Sequence, residues 1–135
     1  MTDANELKEM LSGFWGSETL YSHALVRSFT YTEGVQAFAR HAGGGAYWLL
    51  DLLALEPEIK AGVKAHGFAV VQLAVDDGTA ALTVAQDMDE DTAIGLMFAR
   101  AIKGTDCPKG VWKFYLALNE VGDRVVITAM LPTEY

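Results

Sequence analysis

The chain has 135 residues, with 18 acidic and 10 basic side chains and a formal charge of −8. That balance argues against a phosphate-tracking surface, which needs clustered Lys and Arg, and a hydrophobic share of 51% excludes a disordered tail. One cysteine excludes an internal disulfide framework and fits a reducing compartment.

The first eleven residues contain Asp3, Glu6 and Glu9, unlike a secretory signal, which starts basic and continues apolar. Leu7, Met10, Leu11 and Phe14 recur at helical spacing and predict a helix. Thr2 or Asp3 is placed to cap it, and Gly13 and Gly16 to end it. Residues 19–31 fit neither period and read as an extended or irregular link. Thr32 is a suitable N-cap for a second helix with Val35, Phe38 and Ala42 on one side, stopped by Gly43, Gly44 and Gly45. A third helix over 46–55 is apolar nearly all round and should be packed on several sides. It is about half the length that spans a bilayer, and Asp51 interrupts it, so no membrane segment is expected. Pro57 suits the first turn of a fourth helix over 57–64, which Gly67 ends.

The second half changes character. Residues 68–75 and 79–86 flank Asp76-Asp77-Gly78 and read as a β-hairpin. After an acidic loop, 94–102 reads as a third strand. Trp112, Phe114, Leu116 and Leu118 alternate along a fourth over 111–118. Residues 124–131 make a fifth, closed by Pro132. Helices followed by consecutive strands predict an α+β fold: N-terminal helices packed on one face of an antiparallel sheet of about five strands. No linker or repeat divides the chain, so one domain is expected over 1–135, with its helical part before about residue 66. Trp48, Leu49, Leu52, Trp112, Phe114 and Leu116 should meet in the core.

Four stretches carry a family resemblance: Tyr31-Thr32-Glu33-Gly34-Val35, Ala46-Tyr47-Trp48-Leu49-Leu50-Asp51, Thr105-Asp106-Cys107-Pro108 and Leu131-Pro132-Thr133-Glu134-Tyr135. In this order and spacing the chain resembles a family of small proteins carried by bacteria, phages and plasmids, a domain of unknown function. The resemblance covers nearly the whole chain. The chain departs from the family in its three glycines before Ala46, in Cys107 where an aromatic residue is expected, and in Thr133 where serine is commoner. The resemblance implies a cytoplasmic, often mobile-element origin and brings no catalytic residues.

The catalytic frames fail individually. His41 and the glycines after it lack both the G-x-S-x-G elbow of a hydrolase and the Lys-Ser or Lys-Thr of a phosphate loop. Serines 12, 17, 22 and 28 all miss that elbow. Asp87, Asp89 and Asp91 start like a calcium loop, but Thr92 and Phe98 stand where Gly and Glu are required. His23, His41, His66 and Cys107 have no metal-ligand spacing, so neither cofactor nor metal is expected. Asp106 beside Cys107 works against an activated thiolate. Tyr47, Trp48 and Asp51 share one sector of a helix. There they form either a pocket with a carboxyl acid or base, or a structural cluster in which Asp51 pairs with Arg27, Arg40 or a backbone donor.

The leading expectation is an acidic, cytoplasmic, non-catalytic protein-binding module of mobile-element type, in one version an antagonist of a host defence nuclease. Asp87, Asp89, Glu90 and Asp91 are the candidate partner-binding residues. The partner would be a protein, with no direct nucleic-acid binding and no membrane. The alternatives are a small enzyme using Asp51 or a histidine in a helix–sheet pocket, and a homo-oligomeric structural module.

Overall fold

The computed structural model describes residues 3–15 and 19–135. Helix α1, Ala4–Leu11, starts at Asp3, whose carboxylate accepts the Glu6 N–H at 2.8 Å. Thr2, the alternative cap, and Gly16, one of the two expected stops, lie outside the described residues. The expected link at 19–31 instead contains two short strands, β1 (Leu20–Ser22) and β2 (Phe29–Thr32). Thr32 then caps α2, Glu33–His41, by accepting the Val35 N–H at 3.3 Å. Helix α3 runs Tyr47–Leu55, and α4 runs Pro57–His66 and closes on Gly67 at φ 79°. Left-handed backbone there favours a residue without Cβ.

Five longer strands follow: β3 (Phe68–Asp76), β4 (Thr79–Asp89), β5 (Thr92–Ile102), β6 (Gly110–Val121) and β7 (Arg124–Met130), with a 3-10 turn at Pro132–Glu134. The expected acidic loop at 87–91 is mostly strand. Asp87 pairs with Ile94 and Asp89 with Thr92, which leaves Glu90 and Asp91 as the turn. The sheet therefore has seven strands, in the order β1-β2-β7-β6-β3-β4-β5. All neighbours are antiparallel except β2 and β7, which run parallel with Phe29 opposite Ile127.

The helices cover one face. Val71, Leu73, Leu82, Val84, Trp112, Phe114 and Leu116 point into that layer and are buried. Phe38 of α2 sits between Trp112 and Phe114, with ring centres 5.6 and 4.9 Å away. Leu49 is buried as expected, whereas Trp48 and Leu52 are half-buried at the margin of the core. Helix α3 is less enclosed than its composition predicts, because Tyr47 and Leu55 reach solvent. On the opposite face, against which none of the described helices packs its buried residues, Gln72 is itself buried and pairs in register with Thr83 and Lys113.

Candidate functional site

Asp51 lies on α3, and its carboxylate stands 2.7 Å from His23 Nε2. His23 Nδ1 accepts the N–H groups of Leu25 and Val26, each at 3.1 Å. A nitrogen accepting two amide bonds carries no proton, so His23 holds its proton on Nε2 and donates it to Asp51. The imidazole is buried, whereas the Asp51 side chain is 59% exposed. This arrangement ties the β1–β2 loop to α3. The partner is thus His23 rather than Arg27 or Arg40. Tyr47 is exposed on the first turn of α3, and Trp48 is half-buried. Two cavities, of about 430 and 300 Å³, lie elsewhere, and neither has Tyr47, Trp48 or Asp51 in its wall.

Asp87, Asp89, Glu90 and Asp91 converge at the exposed β4–β5 turn. None forms an ion pair among the described residues. The other acidic turn differs. The Asp76 carboxylate is held below its ordinary pKa by the Asp77 N–H, and further by Lys109 at 3.4 Å. β4 separates the two turns by eleven residues, about 35 Å of strand. Beyond the acidic turn, β5 is one of the two outermost strands of the sheet, with β1 at the other end. A one-residue bulge opposite Val84 and Ala85 turns both Met97 and Phe98 towards the helices. Ile94 and Leu96 are left on the uncovered face, 49% and 59% exposed.

The glycine run serves packing. Gly44 N–H donates to the Asp106 carboxylate at 2.7 Å. At Gly43, φ is 59° and a Cβ would collide with the Asp106 backbone. Cys107 follows in the same loop and is buried, and burial raises its thiol pKa. No trio of His, Cys, Asp or Glu among the described residues could hold a metal ion. No helix is long and apolar enough to cross a membrane among those residues.

Sequence reasoning missed Glu134. Its carboxylate accepts from the Thr32 hydroxyl at 2.6 Å, the Gly34 N–H at 3.2 Å and the Leu131 N–H at 2.9 Å. The segments 31–35 and 131–135 are therefore one clasp over the start of α2. Glu after Pro-Thr hints at a local cap, but nothing local indicates a partner 100 residues away.

The class this architecture defines is an α+β protein with one helical layer on a seven-stranded sheet. The chain belongs to the family of unknown function DUF6876, whose model matches residues 5–135. No curated protein and no solved structure matches it.

Proposed function

We propose that the protein is a non-catalytic protein-binding module that docks a basic, extended segment of its partner along β5. The observation that carries this reading is the free outer edge of that strand, with Ile94 and Leu96 exposed beside an unpaired acidic turn. An added strand gains main-chain hydrogen bonds from such an edge, and side-chain contacts give selectivity. Four carboxylates at its start discourage pairing with a second copy and attract lysine and arginine. Arg100, near the far end of β5, is paired with Glu56 at 3.0 Å, so the attraction is concentrated at the turn. A nuclease carries a basic surface of the kind that tracks phosphates, which makes the antagonist of a host defence nuclease one instance of this proposal. The engagement of both His23 nitrogens favours binding over catalysis, since a general base needs a lone pair facing substrate.

The test compares three proteins in affinity capture and binding kinetics: the wild type, Asp87→Asn/Asp89→Asn/Glu90→Gln/Asp91→Asn, and Leu96→Lys. The expected partner associates with the wild type more slowly as salt rises. It loses on-rate with the fourfold variant and dissociates faster from Leu96→Lys. Failure to capture a partner that depends on both changes rules the proposal out.

A further inference from the structure

The larger cavity, about 430 Å³, opens between β2, β7 and α4, on the opposite half of the sheet from β5. Phe29, Ala54 and Ile127 are all buried on the helix-covered side and make an apolar floor. Lys60 and Lys64 stand in its wall one helical turn apart on α4, so their stems share one side of the opening. Neither lysine ammonium has an ion-pair or hydrogen-bond partner among the described residues, and no acidic residue lines the cavity. In a chain with 18 acids and 10 bases, two unpaired cations over an apolar recess are a local reversal of sign. Ser28 adds a hydroxyl to the same wall.

We infer that this cavity binds a small amphipathic carboxylate, with its apolar body on the Phe29–Ile127 floor and its carboxylate between Lys60 and Lys64. The volume falls within the range of small-molecule sites, about 300–1,000 Å³. Apolar walls with a few placed polar groups are the usual composition of such sites. The stems of the lysines extend the apolar wall while their ammonium groups stay at the wet opening. A carboxylate there gains charge-assisted hydrogen bonds from two donors. A neutral ligand of the same shape keeps only the apolar contact. The site is separate from the β5 edge, so the two proposals stand or fall independently.

The experiment titrates octanoate and 1-octanol into the full chain by calorimetry, and repeats both with Lys60→Gln/Lys64→Gln. Both lysines are surface side chains, and thermal unfolding checks that the variant is folded. Saturable 1:1 binding of octanoate is expected, at least tenfold tighter than 1-octanol. The double variant should lose at least tenfold in octanoate affinity and leave 1-octanol unchanged. A site-filling variant, Val125→Trp at the exposed rim, should weaken both ligands. Absence of saturable octanoate binding, equal affinity for the alcohol, or indifference to loss of the lysines would each overturn the inference.

Discussion

Gly34 shows how one missing methyl group decides a local structure. A Cβ there would lie 2.5 Å from both the Glu134 Oε1 and the Leu131 Cδ1. Gly34→Ala should therefore cost about 1–3 kcal/mol by overpacking, although alanine is ordinarily the better helix residue. Glu134→Ala should cost about 1–3 kcal/mol, because the Gly34 and Leu131 amides lose their acceptor. In a double-mutant cycle by urea unfolding, the two losses should sum to more than the double variant shows, since each relieves the other's contact. His23 and Asp51 should separate in the same assay. His23→Ala leaves two loop amides unpaired and should cost about 1–3 kcal/mol. Asp51→Asn keeps an acceptor at an exposed position and should cost less than about 1 kcal/mol. Cys107 offers a pH test. Burial raises its thiol pKa, with the Thr105 hydrogen bond opposing and Asp106 adding. A raised folded pKa means that stability is fully present below the unfolded thiol's value, about 8.5, and is lost as pH rises through the folded value. Native protein should thus react slowly with a disulfide reagent at pH 8, urea should unmask the thiol, and stability should fall only at higher pH. Thr32 was legible in the sequence because capping is local. The roles of Glu134 and of His23 were not, because their partners lie 102 and 28 residues away.

At the level of elements, α4 packs against β5 at Gly62, where a Cβ would meet Met97 Sδ at 2.5 Å and Cγ at 2.8 Å. Ordinarily Gly→Ala inside a helix gains up to about 1 kcal/mol. Gly62→Ala should gain nothing here, and the gain should return in Gly62→Ala/Met97→Ala relative to Met97→Ala alone. Thermal melts of the four proteins measure it. The long strands were readable from alternation and from turn residues, as with Trp112, Phe114 and Leu116 in β6 and Asp77-Gly78 before β4. β1 and β2 were not, because strands of three and four residues show too little of a period. Their identity comes from pairing with each other and with β7. The bulge that turns Met97 inward was not legible either, because it is a property of the pairing with β4 and not of β5 alone.

For the molecule as a whole, Trp112 joins the layers. It is buried against Phe38, its indole N–H donates to the Pro108 carbonyl at 2.9 Å, and Lys8 of α1 lies 5.7 Å from the centre of its ring. Trp112→Ala should cost about 3–5 kcal/mol in chemical denaturation, a large fraction of the roughly 5–15 kcal/mol that holds a protein folded. A cost below about 1 kcal/mol would show that the helical layer does not depend on it.

The parallel pair carries a consequence in time. β2 meets β7 across 98 residues, the separation of the bonded hydroxyls of Thr30 and Thr128. Closing a loop that long costs about 4 kcal/mol of chain entropy before any contact compensates for it. As the chain is synthesised, α2 can form early, but its start stays without Glu134 and the inner edge of β2 stays open until residues 124–134 have been made. During that interval β6 also lacks its neighbour on one side. The nascent protein thus passes through a stage with two open edges beyond those of the finished sheet, at which it is most exposed to misassembly.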